Sequence, residues 1–406
     1  MQVMCRWRRG NQGVWLGILA VAIIIYVLKV LWPTYIPRPP TPIHLMNTTA
    51  YINSLHHMTL EPVKATKSCN NNSSKVQVLI LVSSSIPNFE ARQAVRRSWG
   101  ANLPSLWPLV FFIGATTDAL LQEKVRVEAQ EYGDIAQDLS FYDSYSNLTL
   151  KTLSLLSWSQ HFCTHATYIL KIDEDIFLNV HKLYNLTMCV TEARKTMYTK
   201  KKKDKPFSSG QLGGVSTHQS FLEALTDNSC DALTPSKYIN YFINSQTHEY
   251  ESYMFGGYLY NGVKAERNPQ SKWYLDPMLY SNDILPPFLS GTSYIITSNL
   301  IPHLLEEAKF TSLIQLEDVY ISGLVGNNRL KIKLSHLEGW TQFRPWWDDP
   351  CIYRELLTSH GFSPPELLSV FQAVNNLSHT ACDSFLLNVM KTFTLFVSSI
   401  FPRVPS

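Results

Sequence analysis

The stretch YILKIDEDIFLNV, residues 168–180, decides how this chain is read. An apolar run from Tyr168 to Ile172 has the length and composition of a buried strand. It ends in three consecutive carboxylates, Asp173, Glu174 and Asp175. Three anions within a few ångströms repel one another, and a hard divalent cation that takes oxygen ligands offsets that repulsion. A cation held there stands ready to neutralise a diphosphate. Acidic turns are more often simply solvated, so the surroundings of the trio decide between the two readings.

On the N-terminal side, strand-like runs alternate with helical patterns. VQVLILV at 76–82 is strand-like, Phe89 to Trp99 is helical, LVFFIGA at 109–115 is strand-like, and Ala119 to Tyr132 is an amphipathic helix. Leu150 to Phe162 predicts another helix, which leads into the 168–172 strand. This order predicts an α/β domain: a Rossmann-like, mostly parallel sheet flanked by helices, with ligands at the carboxyl ends of the strands. The carboxylate trio stands at such an end.

With 406 residues, 45% hydrophobic and 17% charged, the chain can bury a large core and lacks a disordered composition. A net charge of +3 and the absence of a basic, aromatic-interleaved stripe set nucleic acid aside. Arg6, Arg8 and Arg9 precede VWLGILAVAIIIYVLKVLW at 14–32, in which Lys29 is the sole charge. At about 1.5 Å per residue that run spans a bilayer, and Lys29, near one end, can snorkel. A cleaved secretory signal is the rival reading; the length and the lack of a small-x-small site favour an uncleaved anchor. The positive-inside rule keeps residues 1–13 in the cytosol and sends the rest across, a type II topology.

Residues 33–74, with PTYIPRPPTPIH and an asparagine-rich stretch, read as a stem. A folded domain is expected at 75–374 and a C-terminal extension at 375–406. All the sequons, at Asn47, Asn71, Asn72, Asn147, Asn185 and Asn376, follow the expected anchor. Of seven cysteines, all but Cys5 fall on the lumenal side: Cys69, Cys163, Cys189, Cys230, Cys351 and Cys382. An even number there permits disulfides, with the pairing open. No C-x-x-C spacing occurs, which argues against a zinc ribbon or a thioredoxin-type site. The basic run KKKKDK at 200–205 reads as a solvated loop. The apolar FLLNVMKTFTLFVSSIF at 385–401 reads as packing on the domain or lying at an interface rather than as a second span.

Five segments in order, RQAVRRSWG (92–100), EYGDIAQDLSFYDSYSNLTLKT (131–152), YILKIDEDIFLNV (168–180), PPFLSGTSYIIT (286–297) and LEDVYISGLV (316–325), resemble the signatures of the β-1,3-glycosyltransferase family. The closing CIYRELLTSHGFSPPELL at 351–368 is most similar to its galactosyltransferase branch. The resemblance implies an A-type glycosyltransferase fold and a Golgi-resident, metal-dependent enzyme. It also implies transfer of a hexose, galactose first, from a UDP-sugar to the 3-hydroxyl of a glycan acceptor on glycolipid or glycoprotein, with inversion. An N-acetylglucosaminyl- or N-acetylgalactosaminyltransferase is the alternative within the family. A catalytically silent lumenal glycan-binding protein or chaperone is the alternative of another class, and its signature would be loss of Asp175 or Asp318; both residues are present.

The resemblance also implies roles for individual residues. Asp175 would bind manganese, and Asp173 would contact the donor ribose or a metal-bound water. Glu174 replaces the Asp of many relatives. Asp318 would be the general base that takes the acceptor proton, with Glu317 as a neighbouring carboxylate; the bland reading is an acidic pair in a helix's first turn. Arg92, Arg96 and Arg97 share a helical face, from which Arg97 would reach the diphosphate. Lys151 would point at phosphate or else lie on an exposed helix face. Gly291 would let a sugar approach closely, and Trp99 would pack in the core. His336, eighteen residues after Asp318 and ahead of Gly339 and Trp340, is the candidate third metal ligand. Its spacing to that pair is one residue longer than the family's, and a lone histidine is more often structural.

Overall fold

The computed structural model describes residues 47–55, 58–69, 76–203, 253–345, 348–377 and 382. The chain divides into two units, 1–41 and 42–406, and every described residue belongs to the second. The expected anchor at 14–32, the side chains of the basic run at 200–205 and the apolar run at 385–401 lie outside the described residues. Among the described residues no helix is long and apolar enough to cross a membrane.

In chain order the elements begin with α1 (Thr48–Asn53), β1 (Met58–Leu60), α2 (Val63–Cys69), β2 (Val78–Ser83), α3 (Phe89–Arg97), β3 (Leu109–Ala115), α4 (Ala119–Tyr132) and β4 (Ile135–Tyr142). They continue with α5 (Leu148–Phe162), β5 (Tyr168–Asp173), β6 (Ile176–Leu178), α6 (Val180–Lys203), β7 (Phe255–Tyr260) and β8 (Phe288–Thr297). The remainder are α7 (Ile301–Ala308), α8 (Val319–Arg329), β9 (Ser335–His336), α9 (Pro350–Glu355), β10 (Thr358–His360) and α10 (Pro364–Asn375).

Among the described residues eight strands form one sheet in the order β1-β4-β3-β2-β5-β8-β7-β9. Its centre, β4-β3-β2-β5, is parallel. Outside that block β1 runs antiparallel to β4, β8 antiparallel to β5 and to β7, and β9 parallel to β7. A second, antiparallel pair joins β6 to β10.

The central strands β2, β3 and β5 are mostly apolar because both sheet faces are covered. Along β2, Leu79 and Leu81 pack with Phe112, Leu153 and Trp158 on one side. Val78, Ile80 and Val82 pack with Val95, Trp99 and Phe111 on the other. This is the two-residue alternation of a strand buried on both faces. Trp99 is fully buried, and its indole N–H donates to the Ile176 carbonyl at 2.8 Å. The helices carry the local signals that start and stop them. The Asp118 side chain accepts from the Leu120 and Leu121 amides at the start of α4, and Gly133, at φ 61°, ends it. Ser363 and Glu366 form a capping box on α10.

Folded structure begins well before Lys75. Tyr51, Ile52 and Leu55, from α1 and the residues after it, are buried in the main core with Ala65 of α2. Strand β1 covers the outer edge of β4, and Cys69 is bonded to Cys163 at the end of α5. The 33–74 stem is therefore corrected from residue 47 onward. Its polar composition hid a few apolar residues at helical spacing that dock on α5. A second disulfide joins Cys351 to Cys382, and Cys189 is oxidised as well.

Candidate active site

A cleft of about 790 Å³ opens at the carboxyl ends of β2 and β5 and beside the loop after β4, lined by Ser83–Ser85, Asn88, Asp143, Tyr145, Lys151, Asp173, Glu174 and Asp175. This is where a parallel sheet presents its ligand site. Phe362 and Pro364, just past β10, form part of its wall.

The three acidic residues after β5 have separate surroundings. Glu174 is buried and turns toward the β2–α3 loop. It accepts from the Ser84 hydroxyl, the Asn88 amide and the Ser85 backbone N–H. Burial raises its pKa against these hydrogen bonds, which lower it. Glu174 thus anchors the cleft floor. Asp173 pairs with Lys171 Nζ at 2.7 Å; its pKa is raised by burial first, with Lys171 opposing and Asp175 adding. Asp175 is the most open of the three, and its Oδ2 lies 3.2 Å from His360 Nε2.

That histidine is the partner the sequence reading missed. The β6–β10 ladder pairs His360 with Ile176, next to Asp175, and the Gly361 and Phe362 amides both donate to the Asp175 carbonyl. Burial lowers the His360 pKa, but the hydrogen bond to Asp175 and the Asp175 and Asp173 charges outweigh it, so the net shift is upward. His336, by contrast, sits on β9, separated from β5 by β8 and β7. Its Nδ1 accepts the Leu259 N–H at 3.2 Å, and its ring meets Tyr258 edge-on at 5.3 Å. The structure does not bring His336 to Asp175. His360 stood within a quoted segment, but only a pairing between strands distant in sequence reveals its position.

The second acidic motif enters from β8 and α8. Asp318 caps α8, a wide helix of the π type, the kind often found at functional sites. Its carboxylate accepts from the Val319 amide at 2.8 Å and the Gly291 amide at 3.1 Å. Burial raises its pKa and these two bonds lower it, leaving a net rise. Glu317 is buried and accepts from the Tyr294 hydroxyl at 2.6 Å; its pKa is pushed up to about 7, chiefly by burial. Gly291 makes this packing possible. A Cβ there would stand 2.9 Å from Glu317 Oε2 and 3.2 Å from Asp318 Cβ. The close approach expected for a sugar is thus made by the two carboxylates.

Lys171 joins the two motifs. The side chain is 4% exposed, and Nζ lies 2.7 Å from Asp173 and 3.9 Å from Glu317 and donates to the Gly291 carbonyl. Burial lowers its pKa, but Asp173 and Glu317 raise it further, so it stays charged. Nothing in the residue pattern singled it out, because a lysine inside a strand reads as an edge or surface position.

Lys151 lines the cleft, buried, with Nζ 2.5 Å from Asp143 and 2.7 Å from the Ser84 carbonyl. The exposed-face reading of Lys151 is excluded. Arg92 is fully buried beneath the cleft and does not line it. It is held by Glu128 at 2.7 Å and donates to Ser84 and to the Ser85 and Ile86 carbonyls. Arg96 bridges Glu128 and Asp134. Arg97 is exposed and is not part of the cleft lining. Arg92 shapes the β2–α3 loop from behind, and a charge can be buried there only if it is paired.

Among the described residues no group of three or more His, Cys, Asp or Glu side chains forms a complete metal cage. Asp175 and His360 offer one oxygen and one nitrogen donor beside an open cleft, with Asp173 next to them. This set fits a cation that completes its shell with substrate phosphate and water.

A family model described as galactosyltransferase matches residues 90–212 and 231–338. The chain is 28% identical over 309 residues to beta-1,3-galactosyltransferase 1 of Mus musculus and of Homo sapiens, covering 75% of this chain and 76% of each relative. It is 29% identical over 346 residues to beta-1,3-galactosyltransferase 2 of Pongo abelii, covering 82% of this chain and 66% of the relative. Both acidic motifs fall within the matched residues, and over half of the sequence is matched, so this chain is a hexosyltransferase that belongs to the galactosyltransferase family.

Proposed function

We propose that the chain is an inverting, A-type UDP-galactose-dependent transferase that forms a β-1,3 bond to a glycan acceptor on glycolipid or glycoprotein. One observation carries this reading: Lys171 ties the Asp173–Asp175 motif and the Glu317–Asp318 motif together at one end of the sheet. Asp318 is the base. Held by two backbone amides and raised in pKa by burial, its carboxylate accepts the proton of the acceptor hydroxyl. The hydroxyl oxygen bonds to the anomeric carbon from the face opposite the diphosphate, the bond from that carbon to the diphosphate oxygen breaks, and UDP leaves with the electron pair. A divalent cation, manganese in this reading, would be held by Asp175 and His360 and would supply charge neutralisation for the departing diphosphate. Lys151, paired with Asp143, lines the same cleft and offers it an N–H donor.

Galactose as the donor sugar is supported by the names of the relatives and by the closing segment at 351–368. The disulfides support an oxidising compartment. Together with the apolar run at 14–32 they favour a type II protein of the Golgi membrane with a lumenal catalytic domain. The test is to incubate the protein with UDP-galactose, UDP-N-acetylglucosamine and UDP-N-acetylgalactosamine and simple acceptor glycosides, with manganese or with chelator. Metal-dependent formation of a β-1,3-galactoside, lost in Asp318→Asn while UDP still binds, is the expected result. Asp318→Asn with undiminished transfer would remove it as the base, and preference for an N-acetylhexosamine donor would change the donor assignment.

A further inference from the structure

The acidic motifs and the β2–α3 loop leave unexplained a set of aromatic side chains beside Asp318 that the core does not use. Trp273, in the segment between β7 and β8, is 55% exposed, and Tyr145, on the cleft wall, is 50% exposed. Lys272 Nζ lies 4.7 Å from the Trp273 ring centroid and 6.0 Å from that of Tyr145, so the three form one group at the rim. The segment that carries Trp273 is braced. Arg267 donates to the carbonyls of Leu275, Tyr280 and Asn282 at 2.6–2.8 Å. Lys264 and Ile284 close its base as a bridge, and Gln315, just ahead of Glu317, donates to the Tyr274 carbonyl at 2.6 Å.

The position of the group relative to the two motifs says what it is for. The phosphate-facing side of the cleft, Ser84, Asn88, Lys151 and Asp175, is polar. Tyr145, on the cleft wall, faces both acidic motifs: burial raises its phenol pKa first, and the charges of Asp318 and Asp173 raise it further. Tyr260, at the end of β7, stacks on Phe288 at 5.0 Å, and its phenol too is raised by burial and by Asp318. A pyranose has an apolar C–H face and a polar rim, which suits a flat ring flanked by phenols and an ammonium.

We propose that Trp273 and Tyr145, with Lys272 between them, form the acceptor subsite: the acceptor pyranose lays its C–H face on the indole, and the rim hydroxyls meet the Tyr145 phenol and the Lys272 ammonium. That posture presents a ring hydroxyl to Asp318. The inference rests on the glycosyltransferase reading above and deepens it by giving the acceptor a subsite at the rim of the donor cleft, with Tyr145 on the wall they share.

The test compares the full-length protein with its Trp273→Ala and Trp273→Phe variants, using UDP-galactose, manganese and p-nitrophenyl glycosides of β-galactose, β-N-acetylglucosamine and α-N-acetylgalactosamine. For the glycoside that wild type uses, the acceptor KM should rise at least tenfold in Trp273→Ala with the UDP-galactose KM within twofold, and Trp273→Phe should restore most of the loss. A rise in the UDP-galactose KM instead would assign the indole to the uracil and overturn the proposal. An unchanged acceptor KM, or a fall in kcat alone, would also overturn it. Saturation-transfer NMR of the same glycosides with UDP present reads binding without turnover. Ring C–H signals lost in Trp273→Ala are expected, whereas signals retained there, or absent with wild type, refute the subsite. A wild type that transfers nothing from UDP-galactose to any of these glycosides overturns the UDP-galactose reading of the proposed function, before any variant is measured.

Discussion

Glu317→Gln isolates the cost of keeping a buried carboxylate next to Asp318, the proposed base. Glu317 is buried, with Oε1 accepting from Tyr294 at 2.6 Å and Oε2 3.9 Å from Lys171. Its pKa is raised from 4.5 to about 7, by burial first, with the Lys171 charge opposing and the Asp318 charge adding. At about 1.36 kcal/mol per pKa unit, that rise corresponds to about 3 kcal/mol. In the unfolded chain Glu317 loses its proton near pH 4.5, whereas the folded protein holds it to about pH 7. Across that window the folded state binds more protons, so its stability falls as pH rises, and above it the full cost of the buried anion is in place. Glutamine never ionises and keeps an acceptor for Tyr294. Guanidinium unfolding of both proteins, followed by tryptophan fluorescence between pH 4.5 and 8, should therefore show the variant gaining on wild type by about 3 kcal/mol across the range. Other raised carboxylates, Asp173 and Asp318, are common to both proteins and cancel to first order. A stability difference that does not change with pH would refute the reasoning.

Three other tests probe different parts of the molecule. His360→Ala should weaken manganese-dependent UDP binding by about 10-fold or more in calorimetric titration, while His336→Ala should leave it unchanged; the reverse pattern would return the metal to β9. Lys171→Met leaves Asp173 and Glu317 without their shared cation and should cost about 3–5 kcal/mol in denaturant unfolding; a loss under 1 kcal/mol would show that the two motifs hold together without it. Removing the bond between Cys69 and Cys163, which are 94 residues apart, by Cys69→Ser with Cys163→Ser should cost about 4–5 kcal/mol on the loop-entropy estimate. An unchanged unfolding midpoint would mean that α1 and α2 are held by packing alone.

Much of the fold can be read from local pattern. The β3 and α4 runs are assigned residue for residue, because an apolar run bounded by a turn and an amphipathic helix between an Asp cap and a glycine stop are local signals. The flank in which β8 runs antiparallel to β5 and to β7, with β9 parallel to β7, is not legible in the sequence. FGGYLY carries two glycines and no alternation, and the register of β7 is set by Tyr294 and Leu337 from elsewhere in the chain. In the site, the acidic residues are legible because carboxylates are rare at strand ends. Their partners are not. Lys171, His360 and Trp273 look like ordinary residues in sequence and gain meaning only from neighbours supplied by other elements. The arginine block shows the opposite error: a charged helical face that reads as a ligand surface is mostly spent on Glu128 and Asp134.

The pairing of β10 with β6 has a consequence for biosynthesis. Strands β2 to β5 can assemble as soon as residue 173 is available, since domains build up from the N-terminal side during synthesis. The Asp175 carbonyl, however, has no partner until Gly361 and Phe362 arrive, and Phe362 and Pro364 are part of the cleft wall. A nascent chain therefore has its sheet before it has its cleft. The cleft is completed only when the chain has been made through β10 and the residues just after it.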